Sequence, residues 1–559
     1  MKSINDKRFL SHLKNCVPNS AHNYMLSTYT IILEAWRRGL DIDIKILKQK
    51  TGKIAPYYTI SNGAKSHNFS VTRGDLVSKK AVNIANNKHL TKEYLTEANV
   101  ETPKGSLFTD KHEDEDVLNY ARETGYPLVL KPIDGTGGKG VVANIQNDEE
   151  MKHALTYVRE QLNYKKVIVE DYFQGEDHRL YVVDDKVIGV FKRDPASVTG
   201  NGKDTIEILL KRKNIERSKI PSVKDTPIKV DSETKELLRR LDYTLKSVPE
   251  DGEVVFLKSK SNVSSGGEAV DVTDETTDEM KQIAVNAVKS IPTLVQGGVD
   301  MMIDKKKNKG VVLEINSRAH IRTHLFPSYG KARDIPTAII DYYFPETKDY
   351  DREEPNKLYI DYDFIYNACL SRDAASIKIP KISASSIVLK RYSIAGLDYT
   401  NSIGKKVRRL AFNNKLNGFI KPLKNNNITV VVGGNAKNID EFYKQLKRHI
   451  YRSSKNSVLT EKKRTTPIPH GFSIIDSEIV ETSNEITNET YHEKYSNLRN
   501  DYEKLVGQLA KYEHIESVLE LTEKQNKELK KQLNHVEKST SWALTKPIRL
   551  AGKLKRKKP

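Results

Sequence analysis

The chain has 559 residues with 93 Lys and Arg against 74 Asp and Glu, a net charge of +19, and 37% hydrophobic residues, enough for two to four domains with real cores. Its apolar runs, such as ITVVVGG, fall far short of the roughly 20 residues that cross a bilayer, the opening MKSINDKRFLSHLKN has no apolar signal core, and Cys16 and Cys369 are too few for a disulfide framework or a cysteine metal site. These exclusions predict a cytoplasmic multidomain protein. No aromatic platform is interleaved with basic residues, so no nucleic-acid partner is expected.

Residues 1–75 combine a helical pattern, STYTIILEAWRRGLDIDIKILK, with short strands, which predicts a small α/β pre-domain. From 76 to 345, strand runs such as YPLVLKP, KVIVEDY and GVVLEIN alternate with helical runs such as TTDEMKQIAVNAVKSI, predicting an α/β body. Within that body, LVLKPIDGTGGKGVVANI places Gly135, Gly137, Gly138 and Gly140 in one turn that formally satisfies G-x-G-x-x-G. A dinucleotide fingerprint needs a helix after the loop, yet VVANI is strand-forming, so the turn is expected to close a β-hairpin flap. It is not a Walker A loop, because Gly140 follows Lys139 where Ser or Thr is needed, and no H-R-D or D-F-G supports a kinase. Lys131, at the end of the incoming strand, is placed to reach phosphates covered by the flap's backbone amides; a solvated lysine beside an ordinary turn is the alternative.

Downstream, VIVEDYFQGEDHRLYVVDDKVIG sets Glu170, Gly175, Asp177 and Arg179 around a strand-to-strand hinge suited to reading adenine by backbone and ribose by carboxylate. In GGVDMMIDKKKNKGVVLEIN, Glu314 and Asn316 share one strand face, and Asp300 on a neighbouring strand would complete an oxygen-only magnesium site. Taken singly these are ordinary surface carboxylates. Taken in order, lysine, flap, hinge and D plus E-x-N make a phosphoryl-transfer set.

At these residues the chain resembles the ATP-grasp carboxylate-amine ligases, most of all the ATP-grasp part of cyanophycin synthetases and bifunctional glutathione synthetases, from about Phe69 to Pro345. The resemblance implies an ATP-grasp fold and phosphate contacts from Lys88 and Lys131. It also implies adenosine contacts from Glu170 and Asp177, and magnesium (or Mn2+) on Asp300, Glu314 and Asn316. It further implies activation of an amino-acid or peptide-like carboxylate by ATP and capture by an amine. Arg179 and Arg193, whose guanidinium forks match phosphate and carboxylate oxygens, are the catalytic candidates, with surface ion pairs as the alternative. One departure stands out: SRAHIRTH follows E-x-N where those families show a small-residue and Pro-Gly turn, so substrate identity does not carry over.

From 357 to 452 the pattern resembles acylphosphatase, an α/β sandwich, but Gly404 stands where the phosphate-binding arginine belongs and Pro422 where the water-orienting asparagine belongs. A fold without the hydrolase is therefore expected. Residues 453–488 read as a linker. Over 489–540, Tyr491, Tyr495, Leu498, Tyr502, Leu505, Leu509 and Tyr512, then Ile515 to Val536, alternate threes and fours with one stammer, predicting a coiled coil and a homo-oligomer. The tail 541–559 carries Lys546, Arg549, Lys553, Lys555, Arg556, Lys557 and Lys558 with no acid beside Trp542, Ile548 and Leu550, and its S-W-x-L-T-x-P-x-R start resembles tails of bacterial polysaccharide glycosyltransferases. An anionic inner-membrane face is the expected partner, with a solvated tail as the alternative. The expected whole is an α/β (α+β) ligase of envelope or peptide-polymer synthesis; a catalytically inactive ATP-binding scaffold is the second expectation, and an active acylphosphatase is disfavoured.

Overall fold

In the computed structural model the run MLSTYTIILEAWR forms helix Met25–Arg37, buried along nearly its whole surface, which explains why its middle is so free of charge. Its one buried arginine, Arg37, is satisfied by main-chain carbonyls, donating to Leu358 at 2.9 Å and His12 at 2.8 Å. The structure describes residues 8–48, 54–133, 139–370, 374–382, 386–423 and 427–475; the chain divides into two units, Met1–Ile474 and Ile475–Pro559. Gly135, Gly137, Gly138, the expected coiled coil and the expected basic tail lie outside the described residues.

The described residues carry the expected mixture of helix and sheet, with an ATP-grasp fold followed by an acylphosphatase-like sandwich. A first sheet holds strands Asp41–Lys48, Ile54–Ser61, Ser66–Ser70 and Arg73–Gly74, and strand Ser376–Ile379 joins its edge with Ile379 opposite Ile42. Its core unites Tyr29, Trp36, Tyr58 and Phe69 with Ile321, Leu325, Ile339, Tyr343 and Ile387. The N-terminal residues in this core thus pack with residues from more than 250 positions later in the chain.

A second, four-stranded sheet runs Gly105–Phe108, Val167–Asp171, Leu128–Pro132, Val142–Ile145, under helices Asp114–Thr124 and Asp148–Leu155. Leu128 and Leu130 face that core, so period-2 alternation turns Lys131 to the opposite face. Strands Leu128–Pro132 and Val142–Ile145 pair antiparallel, with Leu128 opposite Ile145, which is the hairpin that VVANI predicts.

The third sheet is antiparallel and five-stranded: Glu268–Asp271, Lys186–Asp194, Glu176–Val183, Gln296–Asp304, Lys309–Asn316. One face carries Leu180, Val182, Val190, Val299, Met301, Val312 and Ile315 onto helix Asp278–Ser290. The other face carries the charged candidates, and one end of it, at Tyr181 and Val183, enters the N-terminal core. Between strands Lys186–Asp194 and Glu268–Asp271 of this sheet, residues 196–257 build a satellite of two helices and a two-stranded ribbon around Val198, Ile206, Leu238 and Leu257.

The acylphosphatase-like sheet is ordered Val458–Lys463, Val388–Ala395, Ile428–Gly434, Asn417–Pro422, Phe472–Ile474, with helices Asn401–Asn413 and Ala436–Ser453. Strand Ile428–Gly434 is buried throughout, hence the continuous apolar ITVVVGG. Val458–Lys463, inside the stretch that reads as linker, is an edge strand with one partner and almost no burial, so its residues VLTEKK carry no hydrophobic alternation. Among the described residues no helix is long and apolar enough to cross a membrane.

Candidate active site

On the second sheet, Lys131 reaches Glu170 at 2.5 Å between Nζ and Oε2. Lys92 holds the other oxygen, Oε1. Glu170 is 3% exposed, so two ammonium groups compensate one desolvated carboxylate. Burial pulls Lys92 below the usual lysine range, partly offset by Glu170. Sequence reasoning singled out Lys88 and not Lys92; both lie on helix Lys88–Glu97, and their i, i+4 spacing in KHLTK was the available signal. Lys88, half-buried, is the first helical residue, with Asn87 capping the end by accepting from the amides of His89 and Leu90. In the flap, Gly140 adopts φ +76°, and a Cβ there would lie 3.1 Å from Pro132 Cγ, so glycine suits both backbone and packing.

On the third sheet the register forms a lateral row. Asp300 lies opposite Arg179 on one side and opposite Glu314 on the other. Arg179 grips Asp300 bidentately, Nε to Oδ1 at 2.6 Å and Nη2 to Oδ2 at 2.7 Å. Arg193 bridges, donating to Asp177 at 2.6 Å and to Asp300 at 2.9 Å. Asn316 Nδ2 donates to Glu314 Oε1 at 2.9 Å, as expected for residues two apart on a strand. Both catalytic arginine candidates are therefore engaged in partly buried ion pairs here.

The electrostatics of the row are divided. Burial pushes Asp300 up, but Arg179 and Arg193 outweigh it and hold this carboxyl well below the usual range. Burial, reinforced by the Asp300 charge, pushes Glu314 up. Asp177 is also raised by burial, against the pull of Arg193. Opposed shifts in neighbouring carboxyls mark a site where an added cation has something to do.

The donor set fits magnesium. Glu314 is a carboxylate held at a cost beside Asp300, and Asn316 keeps an amide oxygen while its nitrogen is spent on Glu314. Among the described residues no group of three His, Cys, Asp or Glu side chains converges. A cavity of about 630 Å³ lies at the hinge, lined by Pro127, Tyr172, Phe173, Gln174 and Lys309 among others. None of the paired charges above lines it.

These features define an ATP-grasp domain similar to those of carboxylate-amine ligases, followed by an acylphosphatase-like domain: residues 87–207 match the carbamoyl-phosphate synthase L chain, ATP binding domain, and residues 405–474 match acylphosphatase. The chain is 33% identical over 328 residues to cyanophycin synthetase of Trichormus variabilis, covering 57% of this chain and 35% of that protein. It is 30% identical over 353 residues to the glutathione biosynthesis bifunctional protein GshAB of Clostridium perfringens, covering 60% and 44%. A crystal structure of a bifunctional glutathione synthetase from Pasteurella multocida superposes with TM-score 0.44 at 25% identity, covering 57% of this chain and 43% of that one. The chain thus spans only about a third to under half of the length of these curated relatives.

Proposed function

We propose that the protein is an ATP-dependent carboxylate-amine ligase. The observation that carries this reading is the row Arg179–Asp300–Glu314, set across three strands with Asn316 on the same face. A substrate carboxylate oxygen would attack the γ-phosphorus, breaking its bond to the β-bridging oxygen and releasing ADP. An amine nitrogen would then attack the acyl carbon, expel phosphate and lose a proton, leaving an amide. Magnesium, when bound, supplies charge neutralisation at the phosphates; Asp300, Glu314 and Asn316 would hold it. Lys131 and Lys88 would orient phosphates, Glu170 and Asp177 the adenosine. Arg193 and Arg179 would trade an Asp300 contact for the transferring group, positioned by fixed strands so that little reorganisation is needed.

The relatives named as cyanophycin and glutathione synthetases support amino-acid or peptide substrates, and a role in envelope or peptide-polymer synthesis is the proposed setting. The heptads of 489–540 would make a homo-oligomer, and the seven cations of 541–559 would attach it to an anionic inner-membrane face. Loss of binding to anionic liposomes in a chain ending at Lys538, with ADP release kept, tests the attachment. Screening amino acids and peptides for ADP release by the purified protein, against Glu314→Ala as control, tests the ligase. Equal release by wild type and variant would remove the site assignment.

A further inference from the structure

The segment after Asn316 is where this chain departs from the ATP-grasp pattern, and it emerges beside the carboxylate row. A Cβ on Gly298, two residues before Asp300, would lie 2.6 Å from Ala319 Cβ and 3.6 Å from Arg179 Cδ. The N-terminal sheet clasps this segment through its last turn. Thr72 Oγ1 donates to the Ala319 carbonyl at 3.0 Å, Arg73 Nη1 to Ser317 Oγ at 3.2 Å, and Arg318 Nη1 to Ser70 Oγ at 3.4 Å. Arg322 lies over the Tyr24 ring at 4.6 Å, and that ring meets His320 edge-on at 5.2 Å.

What distinguishes the cluster is its lack of acid. Among the described residues, Arg73, Arg318 and Arg322 have hydroxyl or ring partners and none pairs with a carboxylate, unlike Arg38, Arg179, Arg193 and Arg333, each of which does. Arg322 is 7% exposed and its Nη1 has no hydrogen-bond partner. The groups facing Arg73 are Arg318 and the Tyr57 phenol; those facing His320 are Arg322, Arg318 and Arg179. Burial, then those guanidinium groups, push His320 down to about 4, leaving it a neutral imidazole near neutral pH. Gathering guanidinium groups this way, one of them buried and unmatched, is costly unless an anion from outside completes them.

We propose that Arg73, Arg318, Arg322 and His320 form a subsite for a second anionic group on the substrate, a carboxylate or phosphate borne beyond the carboxylate that is activated. The ligase would then select acidic amino acids or peptides, or their phosphorylated counterparts, over neutral ones. Three guanidinium forks match either anion, Tyr24 packs against the Arg322 guanidinium, and Arg179 links the subsite to Asp300. This proposal rests on the ligase reading above.

The test is thermal melting of the full chain at fixed ionic strength with glutarate, butyrate or inorganic phosphate, and separately with magnesium ATP. Glutarate or phosphate should raise Tm saturably where butyrate does not; a response to glutarate names the carboxylate source, and one to phosphate alone names the phosphate source. Arg318→Gln, an exposed position safe for folding, should weaken that response at least about tenfold, equivalent to about 1.4 kcal/mol. Arg73→Gln should repeat it. In turnover, acidic substrates should show KM values about tenfold below their amide analogues, and Arg318→Gln should erase that ratio. Equal shifts from glutarate, phosphate and butyrate, or shifts unchanged in Arg318→Gln, overturn the subsite. Absence of any shift with magnesium ATP in the wild type instead sinks the ligase reading, whatever the anions do.

Discussion

Two regions of this chain resemble folds built around a charged phosphoryl or acyl-phosphate group, and they differ in the charged side chains they carry. The central sheet of the ATP-grasp domain retains four buried or half-buried charges locked in register, Asp177, Arg179, Arg193 and Asp300. The acylphosphatase-like sandwich keeps its core, from Tyr392 to Ile450, while by sequence resemblance Gly404 and Pro422 stand where its family places catalytic arginine and asparagine. Core packing asks only for apolar volume in the right pattern, so a fold outlasts its chemistry. At Gly404 a Cβ would lie 2.4 Å from the Tyr399 hydroxyl, so a larger residue there requires that ring to shift.

The contrast is broken most sharply at the carboxylate row. Glu314→Ala should cut ADP formation by at least about a hundredfold, the scale of losing one preorganised electrostatic group, with Tm nearly unchanged; a steady-state ADP assay beside a thermal melt decides it. Next, Asp300→Asn should destabilise the protein by about 3–5 kcal/mol, because it strands Arg179 and Arg193 beside a neutral amide. Urea unfolding measures this, and adding Arg179→Met should recover part of the loss.

A smaller effect is set by pH. Glu314 has a raised value, so the carboxylate form proposed to hold magnesium is lost as pH falls through a point above the ordinary glutamate value of about 4.3. Asp300 has a depressed value; its stabilising pairs are present above the unfolded value of about 3.9 and are lost only as pH falls through its lower folded value. The acid limb of kcat/KM for ATP should therefore lie above the ordinary glutamate value while the fold holds. A limb at or below that value would contradict the assigned role of Glu314. The least effect is expected from the second region: the full chain carrying Glu314→Ala should hydrolyse acetyl phosphate no faster than buffer, and measurable hydrolysis would restore a function to the sandwich.

Much of the site is legible along the chain because its rules are local. Alternation turns Lys131 away from Leu128 and Leu130, the β-formers after the glycines call for a hairpin, and a spacing of two puts Glu314 and Asn316 on one face. The ion pairs of Arg179 and Arg193 with Asp300 are not local. They follow from register between strands more than 100 residues apart, which no period in the sequence specifies. The same holds for Lys92 on Glu170, and for the acid-free cluster, whose arginines come from positions 73, 318 and 322.

Composition, periodicity and motif order were sufficient for the ATP-grasp and acylphosphatase-like folds. Only tertiary structure decided that residues 1–75 close one core with residues 319–389, that Ser376–Ile379 completes the first sheet, and that Asp300 is shared by two arginines. Side-chain direction along one element is dictated by backbone geometry. The partner across a sheet or a core is chosen by the burial and pairing of the whole chain at once.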